Sequence, residues 1–142
     1  MIYKTRDFGE VEIETSKIIH FQQPIFGFDE YITYALLQDP EAGEDIAWLQ
    51  SLDDSTLCFI LVSKRLAAPY SPEYPANLEK LVGSGEVNCW LIAVVQEEFI
   101  KSTINLKSPI LINWQTGFGA QVILEGDYPV RKPLLEEADG AC

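Results

Sequence analysis

The chain is predicted to be all-β and mainly antiparallel: a small closed or partly open β-barrel-like domain over residues 1–135, with one or two short helices, followed by a flexible tail over 136–142. Three observations carry this. Residues 9–15 alternate strictly, with Val11 and Ile13 on one side and Glu10, Glu12 and Glu14 on the other, which is the period of a strand with one wet face. Residues 57–62 and 87–95 are continuous apolar runs, short and rich in β-branched and aromatic residues, the composition of buried strands. Residues 109–113 and 119–125 flank Gln115-Thr-Gly-Phe118, a hairpin sequence in which Gly117 suits a turn position with positive φ. Many short strands with little helix between them close into a barrel or sandwich.

Taken in order, 9–15 is a strand with an acidic outer face, 17–21 a short strand, and 31–37 a strand rich in aromatic and apolar residues. Trp48 is expected in the core. Gln50 and Ser51 are read as a strand end, with Asp53 and Asp54 in the turn after it. The runs 57–62 and 87–95 follow as buried strands. Between them, 77–83 reads as a short helix: Pro75 precedes it, Leu78, Leu81 and Val82 share a face, and Gly83 ends it. Residues 23–28, 39–45 and 67–75 are loops. The last holds Pro69, Pro72 and Pro75 with Tyr70 and Tyr74, too proline-rich for a central strand and therefore a surface segment. The tail over 136–142 has little to bury.

A chain of 142 residues, 47% hydrophobic, is long enough to bury a core as one domain. Its longest apolar run falls far short of the roughly 20 residues needed to span a bilayer. The first residues lack a basic stretch followed by an apolar one, so no signal peptide is read and the expected location is cytoplasmic. Twenty-two acids against ten bases leave a net charge of -12. Such a field repels phosphate backbones, which argues against direct nucleic-acid binding. It serves either solubility or the electrostatic steering of a basic protein partner. Cys58 and Cys89 sit in apolar runs and read as small buried hydrophobes. With Cys142 they form no metal-binding spacing, so no metal and no cofactor is expected.

Nothing points to catalysis. His20 is the sole histidine, and it alternates with Ile19 and Phe21 in a strand, the pattern of an outward-facing residue. No G-x-S-x-G surrounds a serine. The acidic pairs at 29–30, 53–54, 97–98 and 136–137 read as solvated turns or tail. Residues 39–45 lack the ligand order of a calcium loop. Binding features are stronger. Proline stiffens the 67–75 loop, lowering the entropy lost on docking, and tyrosine is a frequent interface anchor. The alternative is that Tyr70 and Tyr74 fold back onto the barrel. Polar residues also interrupt the apolar stretch 103–124 at Asn105, Lys107, Asn113 and Gln121. For Asn113 and Gln121 the favoured reading is structural, their amides satisfying backbone groups. For Asn105 and Lys107, a structural role and a partner contact both stand.

Three segments in order carry a family resemblance: Phe21-Gln-Gln-Pro-Ile-Phe-Gly-Phe-Asp-Glu30; Trp48-Leu-Gln-Ser-Leu-Asp-Asp54 with 59–62 behind it; and Thr103-Ile-Asn-Leu-Lys-Ser-Pro-Ile-Leu-Ile-Asn113 followed by 121–124 and 128–131. Together they resemble the flagellar assembly factor FliW family over roughly residues 2–135. One turn departs from the family's glycine-leucine-proline-glycine-phenylalanine-glutamate: here only Gly27 and Phe28 are kept, with Asp29 in place of the glutamate.

The resemblance implies a small cytoplasmic β-barrel-like protein without catalytic activity. It implies binding to CsrA, a dimeric RNA-binding repressor, which relieves repression of flagellin messenger RNA. It also implies binding to flagellin, so that the two partners exchange. Matched to the family's proline–acid–tyrosine loop, Pro72, Glu73 and Tyr74 are the expected CsrA contact, with Tyr70 beside them and Asn105 and Lys107 as further candidates. Two rivals remain. One is a flagellin export chaperone without a translational role. The other is a small β-barrel enzyme or ligand binder using His20 and a carboxylate in the barrel mouth.

Overall fold

The structure, a computed structural model, describes residues 1–98 and 101–133; the expected tail lies outside the described residues. Among the described residues the strands are β1 (Ile2–Lys4), β2 (Glu10–Glu12), β3 (Ile18–Gln23), β4 (Thr33–Leu37), β5 (Ile46–Ser51), β6 (Cys58–Ser63), β7 (Asn88–Val94), β8 (Thr103–Ile104), β9 (Ile110–Asn113), β10 (Phe118–Gln121) and β11 (Lys132–Pro133), accompanied by a helix, α1 (Leu78–Val82), and by short 3-10 turns at Thr15–Lys17 and Lys64–Ala67. Seven strands form a closed barrel in the order β7-β6-β5-β4-β3-β10-β9, with β9 pairing back onto β7. Every pairing in it is antiparallel except β10 with β3. β7 is forked: Asn88, Cys89 and Trp90 pair with β9, whereas Ala93 and Val94 pair with β8. β8 and β11 thus leave the barrel as a flap.

The interior follows the strand period of two. Ile19, Phe21, Tyr34, Ala47, Leu49, Leu61, Ile110 and Ile112 pack together, with Ile25 beside them. The opposite faces of β6, β7, β9 and β10 are also covered. Val62, Cys89, Leu91, Ala93, Leu111 and Ala120 form a second core with Tyr70, Val82, Ile104 and Leu106. This double burial explains why 57–62 and 87–95 lack alternation, since a strand covered on both sides has no wet face. At roughly 1.5–3 kcal/mol per fully buried aliphatic side chain, both layers contribute substantially to stability.

The hairpin runs as expected. β9 and β10 pair from Asn113↔Phe118 to Ile110↔Gln121, and Gly117 in the turn has φ 76. Beyond β10 the ladder continues as Val122 N–H to Pro109 O (3.2 Å) and Leu124 N–H to Lys107 O (2.9 Å). The helix also forms, from Asn77 to a cap at Gly83.

Two expectations need correction. The strand over 9–15 is only Glu10–Glu12. It pairs with β1 in a separate ribbon, and Thr15 already begins a 3-10 turn. Trp48 is not in the barrel core. Ala47 and Leu49 take the interior positions of β5, so Trp48 faces outward by parity, half-buried beneath Phe8 with the rings edge-on at 5.1 Å.

Tyr34 is fully buried between Phe21 and Phe59, and its hydroxyl has no hydrogen-bond partner among the described residues. Burial first, then the nearby Asp53 and Tyr31, push its phenol well above the usual range. An unpaired buried hydroxyl is a standing cost. Tyr34→Phe is therefore expected to be neutral or stabilising by up to about 1 kcal/mol, measured by urea unfolding.

Candidate partner-binding surface

The loop over 67–75 is anchored at both ends. At its start, Ser63 caps the Lys64–Ala67 turn by accepting from Arg65 N–H (3.2 Å), and the Arg65 guanidinium forks onto Asp45 at 3.0 Å for each bond. At its end, 75–77 runs into α1, with Leu78 N–H donating to Pro75 O. Between these ends both tyrosines turn inward. Tyr70 is 9% exposed; its hydroxyl donates to Leu106 O at 2.7 Å and its ring meets Tyr128 edge-on. Tyr74 is half-buried, packed against the second core that includes Cys89. The fold-back reading therefore describes Tyr70 and, in large part, Tyr74. Glu73 stands exposed between them on a stiff backbone, with Pro72 half-exposed beside it.

Asn105 and Lys107 belong to the neighbouring turn. Asn105 Oδ1 accepts from Lys107 N–H (2.9 Å) and Ser108 N–H (3.1 Å), while Lys107 Nζ donates to Gly126 O (2.6 Å). Leu106 N–H donates to Pro129 O. Segment 105–108 is thereby fastened to 124–129, the stretch that supplies Tyr128 to Tyr70. A cavity of about 480 Å³ lies between loop and flap, lined by Leu66, Pro69, Tyr70, Leu106, Tyr128 and Pro133. All six candidate residues thus lie on two interlocked segments. Tyr70, Asn105 and Lys107 hold the surface in shape, and Pro72 and Glu73 project from it. The roles of Leu106 and Tyr128 left no mark in the sequence, since either could sit in any core.

The other polar residues in apolar stretches are structural. Asn113 Oδ1 accepts from Gln115 and Thr116 amides while Nδ2 donates to Ser84 O. Gln121 links Phe26 N–H to Ser108 O. Gln50 accepts from Arg6 N–H and donates to carbonyls of Ser51, Ser55 and Leu57, which ties the N-terminal ribbon to the barrel.

One barrel mouth opens into a cleft of about 1100 Å³ lined by Glu14, Lys17, Leu36, Glu86, Trp90 and Trp114, among others. His20 is not among its lining residues; it lies exposed on the outer side of β3. His20 therefore does not face this barrel mouth.

Burial raises the pKa of several groups beneath the loop and ribbon. Cys58 is pushed up from 9.0 to about 11, mainly by burial, with Arg6 opposing; Cys89, Tyr70 and Tyr74 shift upward for the same leading reason. Each stays neutral in the folded protein at pH values where it ionises in the unfolded chain. The unfolded chain then binds fewer protons, so stability falls as pH rises. The urea midpoint should be insensitive to these groups below pH 9 and decline from there through about 11, the window set by Cys58.

Comparison with known proteins agrees along nearly the whole chain. The family model described as "FliW protein" matches residues 2–134. The flagellar assembly factor FliW of Thermotoga neapolitana is 38% identical, covering 99% of this chain and 97% of its own. That of Caldanaerobacter subterraneus subsp. tengcongensis is 32% identical over the same shares. A crystal structure of the flagellar assembly factor FliW superposes with a TM-score of 0.88 at 30% identity, covering 96% of this chain and 99% of that one.

Proposed function

Because the chain belongs to the FliW family of flagellar assembly factors, we propose that it acts in the cytoplasm, without catalysis, as a partner-switching regulator. In this reading it binds the repressor CsrA and relieves repression of flagellin messenger RNA. It also binds flagellin, which competes and returns CsrA to its message. The observation that carries the CsrA half is the Pro72–Glu73 ridge: an exposed carboxylate on a loop pinned from below by two tyrosines, on a chain of net charge -12. Such a loop loses little entropy on docking, and its charge favours a basic partner.

Within this reading the residues divide by role. Glu73 pairs with Arg or Lys at the rim of the interface, and Pro72 packs beside it. Tyr74 presents the exposed part of its ring and positions the loop by packing on the second core. Tyr70, Asn105 and Lys107 keep the platform in place. An exposed ion pair contributes about 0–1 kcal/mol, so Glu73→Gln is expected to weaken CsrA binding by no more than about fivefold. Tyr74→Ala removes an anchor and loosens the ridge, which should weaken it by roughly 30-fold. Tyr74→Phe, which keeps the ring, should stay near wild type.

The test is calorimetric titration of the protein with CsrA from the same organism, repeated with flagellin present. Binding that flagellin abolishes is the expected result. Flagellin binding without CsrA binding would reduce the protein to an export chaperone.

A further inference from the structure

The far end of β3 carries an apolar feature that folding does not use. The turn over 25–28 is closed by Phe28 N–H donating to Ile25 O (2.8 Å), with Gly27 at φ 90, a left-handed position suited to glycine. Ile25 points inward at 2% exposure, and Phe28 packs edge-on against Phe59. Phe26, between them, is turned outward and is 82% exposed. It is held in that position. Its amide donates to Gln121 Oε1 at 2.7 Å, and the same side chain, 7% exposed, donates to Ser108 O. Ala120, Val122 and Leu124 pack into the second core, so alternation puts Ile123 on the side of Gln121 that reaches Phe26. Ile123 is 60% exposed.

The charges flanking these two side chains in the chain are of one sign. Asp29 and Glu30 follow the turn, and Glu125 and Asp127 follow Ile123. All are exposed, and among the described residues their carboxylates make no ion pair or side-chain hydrogen bond. The cation bonded into this stretch, Lys107, donates to Gly126 O.

We propose that Phe26 and Ile123 form an apolar anchor, flanked by Asp29, Glu30, Glu125 and Asp127, for a basic amphipathic segment of a protein partner: apolar side chains that close on Phe26, flanked by Lys or Arg. Charge decides the occupant. Four unpaired carboxylates repel nucleic acid and anionic membranes, and a second copy of this chain would set them against themselves. The held turn also limits the entropy lost when a partner closes on Phe26. The inference rests on the CsrA reading and gives that basic partner a second contact region. The two regions are joined through the turn 105–108: Leu106 O accepts from Tyr70, and Ser108 O accepts from Gln121.

The test titrates CsrA, at low and high salt, into the wild-type protein, Phe26→Ala, and a variant carrying Asp29→Asn, Glu30→Gln, Glu125→Gln and Asp127→Asn. Phe26→Ala should weaken binding at least about tenfold with an unchanged melting temperature, because the ring is exposed and the amide bond to Gln121 survives. The neutralised variant should lose much of the salt dependence. Wild-type binding with Phe26→Ala within about twofold of it overturns this surface and leaves the proposed function standing. No binding by the wild type overturns both.

Discussion

Gln50→Leu is expected to destabilise the protein by about 3 kcal/mol, lowering its melting temperature by roughly 10 °C. Gln50 is fully buried on the outer side of β5, with its two polar ends serving different parts of the chain. Its carbonyl oxygen holds Arg6 N–H, and its amide holds the carbonyls of Ser51, Ser55 and Leu57. Leucine fills similar space but loses all of these hydrogen bonds, each a net contribution of about 0.5–1.5 kcal/mol. A net stability of about 5–15 kcal/mol makes that a large fraction. Gln50→Glu separates the hydrogen bonds from the packing. A carboxylate there still accepts from Arg6 but faces three carbonyl oxygens, so this variant should be at least as unstable at neutral pH. It should partly recover as acid protonates the group and restores a donor. Urea unfolding of all three proteins at two pH values checks this. Equal midpoints for wild type and Gln50→Leu would show that the ribbon is not held by this side chain.

Gly119→Val should cost about 3 kcal/mol through crowding at the parallel seam between β3 and β10. A Cβ at Gly119 would lie 2.9 Å from Ile19 Cγ2 and 3.0 Å from Phe21 Cε1. Both neighbours are buried in the barrel interior, so neither moves without disturbing the core. Here glycine is required by lack of space. Gly119→Ala should cost less than valine, about 2 kcal/mol. Adding Phe21→Leu should recover part of the loss, giving a non-zero coupling in a double-mutant cycle. Strict additivity would mean that the ring is not the obstacle. The seam is also one of the pairings on which the closed barrel depends, so a loss here should appear as a cooperative drop in the whole transition.

Much of the architecture was legible in the chain because strand signals are local. Alternation, β-branched runs, the glycine turn at 117 and the proline-bounded helix each depend on neighbours within a few residues. So do the readings of Asn113 and Gln121, since an amide inside an apolar strand needs backbone groups to bond. The outward position of Trp48 leaves no local trace, because a large aromatic carries no mark of which strand face it occupies; parity is set by Ala47 and Leu49 meeting the interior. The alternation over 9–15 outruns the strand because it reports one dry side, whereas a strand also needs a partner, and β1 supplies only three residues of pairing.

The candidate surface divides along the same line. Family, acidity and a stiff proline loop carrying Glu73 can all be read from the residues alone. That Tyr70 points into a second core, that Asn105 closes its own turn while Lys107 reaches across to Gly126, and that Phe26 stands outward while Ile25 and Phe28 turn in, is visible in the three-dimensional fold alone. Those outcomes depend on contacts between residues far apart in the chain, such as Tyr70 with Leu106 and Phe26 with Gln121. Side-chain direction in a loop is set by whatever the rest of the fold places beneath it, and no local pattern of residues encodes that.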